Sequence, residues 1–145
     1  MKKLFSLIML SLIFLSGVAQ SPAFQWAKQI GGISNDRGRS ITCDAIGNVY
    51  TLGGYNGIVD FDPGVGVYNL SDTVGSYTFL SKLDASGNFM WAKNIAGYGF
   101  GVTLDSFGNI YTTGYFAGTL DFNPGVGVYN LTSSGSTDIY ITKLD

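Results

Sequence analysis

Two carboxylates stand two residues apart in Asp60-Phe61-Asp62-Pro63-Gly64, and the pattern returns as Asp121-Phe122-Asn123-Pro124-Gly125. Oxygen-rich loops closed by a Gly turn can hold Ca²⁺, which takes about six to eight oxygen ligands. Asp60, Asp62 and Asp121 are therefore the candidate metal ligands. The set is short: a third acidic position is missing, and Asn123 keeps an oxygen where Asp62 has a charge. The expected role of these aspartates is to cap a Pro-Gly turn after a short strand, because Asp side chains accept hydrogen bonds from backbone N–H groups two residues on. The same pair invites comparison with the two carboxylates of a glycosidase. Neighbouring turn residues that occur twice in one chain do not define a unique catalytic centre, so no catalytic residue is assigned.

The rest of the inventory excludes more than it offers. The chain has no His and no Glu, and its one thiol is Cys43. Without imidazole, neither a Ser-His-Asp nor a Cys-His centre can be built. A His-ligated or multi-Cys zinc site is excluded on the same ground. One Cys makes no disulfide within the chain, and Cys43, in mid-strand, is expected to be a small buried apolar residue. No cofactor is expected. Tyr55, Tyr68, Tyr98, Phe100, Tyr115, Phe116 and Tyr129 fall in or near expected loops, where aromatic rings can stack on sugars. The alternative, favoured here, is that they pack between sheets or over the loop after Asp60. Asn69-Leu70-Ser71 and Asn130-Leu131-Thr132 match the glycosylation sequon and are read as chance. The ligand is left unknown.

The elements that position these residues read as strands throughout, with no window of helical periodicity. Asp44-Ala45-Ile46-Gly47-Asn48, Asp84-Ala85-Ser86-Gly87-Asn88 and Asp105-Ser106-Phe107-Gly108-Asn109 repeat one hairpin signal. Asp caps the turn, and Gly three residues on accepts positive φ. Strands are expected at Phe24–Ile30, Ser40–Cys43, Val49–Gly53, Thr78–Leu83, Phe89–Ile95, Val102–Leu104, Ile110–Gly114 and Ile139–Leu144. Phe89, Trp91, Lys93 and Ile95 share one face, as do Phe24, Trp26, Lys28 and Ile30, which suits half-buried outer strands. Val49–Gly53 is largely apolar on both faces and belongs between two sheets. Small four-stranded antiparallel sheets stacked around an axis supply that setting, as in a β-propeller.

The chain is one unit written twice. Asp44 to Asp84 and Asp105 to Asp145 align at an offset of 61 with 20 of 41 positions identical. Trp26-Ala27-Lys28-Gln29-Ile30 matches Trp91-Ala92-Lys93-Asn94-Ile95 at an offset of 65. A fixed long period marks a repeat architecture. The expected layout is a leader at 1–19, then two repeats within 20–145, at about 24–89 and 90–145, the second truncated. Copy one runs on past Asp84 through its turn into the Trp91 strand, whereas the sequence of copy two reaches only Asp145. The expectation is an incomplete ring: either a fragment of a longer repeat protein, or chains in which Phe24–Ile30 replaces the missing strand of a neighbour. Exposed apolar faces at Val49, Tyr50, Leu52, Ile110, Tyr111, Ile139 and Ile141 should then prevent a stable monomer.

Trp26–Gly32, Asp44–Gly53, Asp60–Gly64 and Ser81–Asn88 together resemble the bacterial β-propeller repeat family known as the SBBP, or seven-bladed β-propeller, repeat. The resemblance covers nearly all of residues 24 to 145. It implies a propeller fold in a secreted or cell-surface bacterial protein, and the Asp-Phe-Asp-Pro-Gly variety resembles copies in exported proteins of Bacteroidetes-type bacteria. Copy two departs from copy one at Ala96-Gly97-Tyr98-Gly99-Phe100 and has no match to Asp36.

Met1-Lys2-Lys3, the apolar run Leu4 to Leu15 and the small residues Gly17-Val18-Ala19 have the three-part layout of a secretory signal peptide cleaved after Ala19. The run is shorter than the ~20 residues of a membrane-spanning helix. Cleavage leaves six scattered basic residues against ten aspartates, a net charge of −4, with no phosphate-binding footprint and hence no nucleic-acid partner. The sequence thus predicts an exported, non-catalytic repeat protein with a structural or adhesive role, secreted or at the cell surface and not membrane-spanning. Its expected partners are further propeller repeats, in cis or in trans, and a glycan or surface protein. The alternatives are a glycan-binding oligomer of two-blade chains and a non-catalytic part of a larger secreted enzyme.

Overall fold

The computed structural model describes residues 21–72 and 78–145. The expected leader, residues 1–19, lies outside them. The regular elements are all strands: β1 (Arg37–Cys43), β2 (Val49–Gly54), β3 (Ile58–Asp60), β4 (Asn69–Ser71), β5 (Thr78–Leu83), β6 (Phe89–Ile95), β7 (Tyr98–Leu104), β8 (Ile110–Phe116), β9 (Thr119–Asp121), β10 (Asn130–Thr132) and β11 (Asp138–Leu144). They form a four-stranded antiparallel sheet in the order β1-β2-β5-β6 and a three-stranded one in the order β7-β8-β11. Each sheet carries a short hairpin, β3-β4 in the first and β9-β10 in the second. This is the expected all-β, blade-like architecture: two blades, not closed into a ring.

The turns form for the reason read from the sequence. Gly47, Gly87 and Gly108 have φ of 88°, 79° and 87°. Each preceding Asp holds its turn closed: Asp84 Oδ1 accepts the N–H groups of Ser86 and Asn88 at 2.8 Å each, and the Asn88 side chain donates to Oδ2 at 2.8 Å.

Two strands begin well before their expected first residues, Ser40 and Val102. β1 begins at Arg37 and β7 at Tyr98, each passing through a bulge, at Gly38/Ser40 and at Gly99/Gly101. A bulge breaks the period-2 alternation that signals a strand, and the glycines removed the side chains that carry it. Gly99 answers to packing as well: a Cβ there would lie 2.8 Å from both Leu52 and Thr78 of the first blade.

One face of the first blade presents Tyr50, Leu52, Leu80 and Ile95, packed against Val102, Ile110, Phe116, Phe122 and Tyr140 of the second. Leu52 and Leu80 are fully buried there, each contributing about 1.5–3 kcal/mol. The opposite face is covered by its own hairpin, with Val59 and Phe61 packed on Phe79, Ala92 and Tyr55. The second blade repeats this arrangement, Phe122 of its hairpin lying 5.0 Å from Tyr140 and 5.1 Å from Phe116. Tyr50, Leu52 and Ile110, expected on open outer faces, are therefore interior. Ile139 and Ile141 are the exposed ones, at 79% and 74%.

Phe24–Ile30 does not form the expected strand. The residue that follows it, Gly31, forms an isolated backbone bridge to Asp60. The outer edge of β5, to which a strand of this pattern belongs, is already taken by β6. The segment instead runs past the Asp84 turn, where the Trp26 indole N–H donates to the Ala85 carbonyl at 3.0 Å, and ends with Ile30 packed on the first hairpin. Cys43 is exposed rather than buried. Its repeat counterpart Leu104 is packed against the first blade, whereas the face of β1 that Cys43 shares with exposed Ile41 has no blade beside it.

Candidate functional site

The segment after Asp60, expected as a loop, is a hairpin whose tip the candidate ligand residues build. Asp60 Oδ1 accepts the N–H of Asp62 at 3.0 Å and that of Tyr68 at 2.8 Å, and Asp62 Oδ1 accepts the N–H of Gly64 at 2.8 Å. The second hairpin copies this: Asp121 Oδ1 accepts from Asn123 at 2.9 Å and Tyr129 at 2.7 Å, and Asn123 Oδ1 from Gly125 at 2.8 Å. Asn replaces Asp62 without loss because only one oxygen is used. The other half of each side chain lies over Gly66 or Gly127, where a Cβ would collide with it. That collision explains the glycine in Pro-Gly-Val-Gly. Among the described residues no group of three or more Asp, Cys, Glu or His gathers. The aspartates act here as turn caps, the role their spacing predicted.

The electrostatics agree with that role. The Asp121 carboxyl is held below its ordinary value by the Tyr129 amide, then by that of Asn123, against a smaller upward push from desolvation. Asp84 is lowered first by the Asn88 amide and next by its side chain. Asp105 is lowered chiefly by the Asn109 side chain. At Asp44, desolvation is the largest influence and pushes upward, but the combined bonds from Asn48 and Ile46 and the nearby Lys82 outweigh it. These are signs of carboxylates stabilised as anions by structure, not of an acid poised to give up a proton near neutral pH.

The aromatic candidates divide. Tyr55 and Phe116 are buried, at 1% and 4% exposure, as lids of the two hairpins. The Tyr55 hydroxyl donates to the Asn94 side chain, and burial pushes its pKa up to about 12. Tyr68, Tyr98, Phe100, Tyr115 and Tyr129 remain accessible. Tyr98 and Tyr115 stack at 5.0 Å between centroids with 20° between planes. Asn69 and Asn130 open β4 and β10 with both side chains exposed.

Sequence reasoning missed the two arginines. Arg37 and Arg39 are alternate residues of β1, the strand that lies beside β7. The Arg39 guanidinium donates to the Gly99 carbonyl at 2.9 Å and lies 5.1 Å over the Phe100 ring. The available signal was a difference between copies: where β1 has Arg37 and Arg39, β7 has Tyr98 and Phe100.

No protein-family model matches the chain. The chain is similar to an uncharacterized WD repeat-containing protein, L264, of Acanthamoeba polyphaga mimivirus, with 26% identity over 135 residues, 81% of this chain. It spans 9% of the length of that relative. With the stacked antiparallel blades, this similarity places the chain among β-propeller-type repeats. Among the described residues no helix is long and apolar enough to cross a membrane.

Proposed function

We propose that this is an exported, non-catalytic propeller module, structural or adhesive in role, whose working partners are further blades of the same pattern. The observation that carries this reading is an asymmetry between the two blades. The face of the first blade formed by Tyr50, Leu52 and Leu80 is covered by the second blade. The same face of the second blade, formed by Tyr111, Thr113, Ile141 and Ile139, is open, with Ile139 and Ile141 largely exposed. The edge of β11 is open too. In the first blade the Asp84 turn packs its Gly87 against Trp26 and Lys28. The equivalent place in the second is a groove of about 500 Å³ lined by Trp91, Lys93, Leu144 and Asp145.

Export rests on the basic start, apolar run and Gly17-Val18-Ala19. Membership in the SBBP family and a Bacteroidetes-type origin rest on the Trp26, Asp44, Asp60 and Ser81 motifs. Sedimentation of residues 20–145 against a version lengthened by one further repeat tests the assembly reading. The expected result is self-association of the shorter chain and less of it per blade in the longer one. A sharply melting monomer at micromolar concentration would overturn it. Intact-mass measurement of exported protein tests the leader, with Gln20 expected as the first residue.

A further inference from the structure

Phe24–Ile30 is a second writing of β6. At an offset of 65 the two segments share Phe, Trp, Ala, Lys and Ile, five positions of seven. β6 has two roles. Its backbone completes the first blade along β5, with Ala92 opposite Ser81 and Lys93 opposite Leu80, and Phe89 and Ala92 cover the first hairpin, the Phe89 ring 4.8 Å from that of Tyr68. Its other side meets the second blade, where Ile95 lies in one cluster with Phe122. Phe24–Ile30 fills only the second role. Ile30 packs on the first hairpin as Ile95 does on the second, and Trp26 and Lys28 lie against the Asp84 turn. The segment thus stands beside the first blade as β6 stands beside the second, with no counterpart of β5 behind it. What β6 buries on that side is open here: Phe24 is 84% exposed, and Ala27 is exposed where Ala92 is fully buried.

The second blade has the complementary gap. β11 is the counterpart of β5, Thr142 standing for Ser81, and among the described residues its outer edge carries no strand. Beside it Phe122, Tyr129, Leu131 and Leu144 line a cavity of about 400 Å³, at the place that Phe89 and Ala92 fill in the first blade. Tyr129 is 65% exposed, whereas Tyr68, beside Phe89, is 38% exposed. The polar contacts transpose as well. The Asn94 side chain donates to the Ser71 carbonyl at 3.1 Å and accepts the Tyr55 hydroxyl. Gln29, in the place of Asn94, keeps an amide for the Thr132 carbonyl, and Phe116, in the place of Tyr55, has no hydroxyl to satisfy.

We infer that Phe24–Ile30 of a second copy of this chain pairs antiparallel with β11, Ala27 opposite Thr142, and seats Phe24 against Tyr129. This rests on the assembly reading and names the segment that joins the copies. The strand edge supplies backbone hydrogen bonds and the cavity beside Tyr129 supplies selectivity, as in other strand-addition contacts. Because the segment stays docked on its own blade, the same contact turns the open Ile139–Ile141 face of one copy toward exposed Ile41 of the other. Ile41 is the counterpart of Val102, which is buried in the contact between blades. The contact is head to tail.

Oxidative cross-linking between two cysteine variants of the chain, both carrying Cys43→Ser, tests it beside sedimentation. Ala27→Cys mixed with Thr142→Cys should give a disulfide-linked dimer, since directly opposed residues of an antiparallel pair lie about 4.5–5.5 Å apart at Cα, within the span of a disulfide. Ala27→Cys mixed with Ile139→Cys, three places out of register, should give several-fold less. Phe24→Ala should weaken self-association about tenfold or more, the worth of a buried aromatic ring. Its melting temperature in dilute solution should be unchanged, because Phe24 is exposed within one chain. Phe24→Leu should recover part of the association. Self-association without the 27-to-142 cross-link, or with equal cross-linking at 139, would overturn the strand exchange and leave the assembly reading in place. Self-association indifferent to Phe24→Ala would overturn the seat against Tyr129. A monomer with no cross-link would overturn both readings.

Discussion

Thr78 and Gly99 are joined by a hydrogen bond that crosses from one blade to the next: the Gly99 N–H donates to the Thr78 hydroxyl at 2.9 Å, and that hydroxyl donates onward to the Gly97 carbonyl at 2.7 Å. Thr78 is fully buried. Thr78→Val keeps the shape and strips both partners, leaving a buried N–H and a buried C=O unpaired. Such groups cost about 1–3 kcal/mol each. Thermal melts should show Thr78→Val lowered by roughly 4 °C or more, with Thr78→Ser close to the parent. Equal melts for Val and parent would mean that the clasp contributes nothing.

The turn glycines separate backbone strain from packing. Gly108 has φ 87°, and a methyl group added there would meet nothing within 4 Å, so Gly108→Ala isolates the left-handed conformation, at about 1–2 kcal/mol. Gly87 has φ 79°, and its added Cβ would lie 2.9 Å from Lys28 and 3.1 Å from Trp26. Gly87→Ala should destabilise more than Gly108→Ala and should also change the Trp26 fluorescence, as the indole is pushed off Ala85. Identical losses, with Trp26 unaffected, would remove the docking of residues 24–30 on this turn.

Much of this was legible in the sequence because the local chemistry is complete within a few residues. Asp44, Asp84 and Asp105 each close a turn with their own Asn and Gly, so spacing alone identifies them. The fate of Phe24–Ile30 was not legible. Its pattern is that of β6, and nothing in a pattern says which of two like segments takes the edge of β5. The exposure of Cys43 was hidden for a related reason, since burial there depends on a neighbouring blade and not on the strand. Arg37 and Arg39 read as scattered charges, because only the packing of β1 beside β7 brings Arg39 over Phe100.

Acid should loosen the turns. The folded-state pKa values of Asp44, Asp84, Asp105 and Asp121 lie below the ordinary 3.8. Groups of this kind stabilise the fold fully above the unfolded-state value and lose that contribution as pH falls through the folded-state one. The melting temperature should therefore be flat from neutral pH down to about 5 and decline below about 4. Asp84→Asn should flatten part of that decline. A decline already under way near pH 6 would place its origin elsewhere, because the chain has no His.

Chelation should have no effect. Asp60 and Asp121 each already accept two backbone N–H groups, so the hairpin tips are closed without a cation. Melts with and without a chelator should superimpose, and Asp121→Ala should loosen the second hairpin in both. A large fall in the chelated sample, restored by Ca²⁺, would make Asp60, Asp62 and Asp121 ligands after all.

Leu80 and Ile141 are equivalent positions in the two blades with opposite surroundings, Leu80 fully buried beneath the second blade and Ile141 74% exposed. Leu80→Ala removes core contacts and should cost about 2–5 kcal/mol. Ile141 in an isolated chain touches little, and an exposed substitution is ordinarily worth within about 0.5 kcal/mol. If another blade docks on this face, Ile141 becomes the Leu80 of that interface. Ile139→Lys with Ile141→Lys should then shift sedimentation toward the monomer while leaving the first blade intact, as read by the Trp26 and Trp91 fluorescence. Each lysine would have to be buried unpaired in a blade-on-blade contact, which is strongly unfavourable. The outcome that counts against the assembly reading is an unchanged sedimentation profile for the double variant. The open face of the second blade would then be ordinary surface, and the association of blades would have to proceed through the edge of β11 alone.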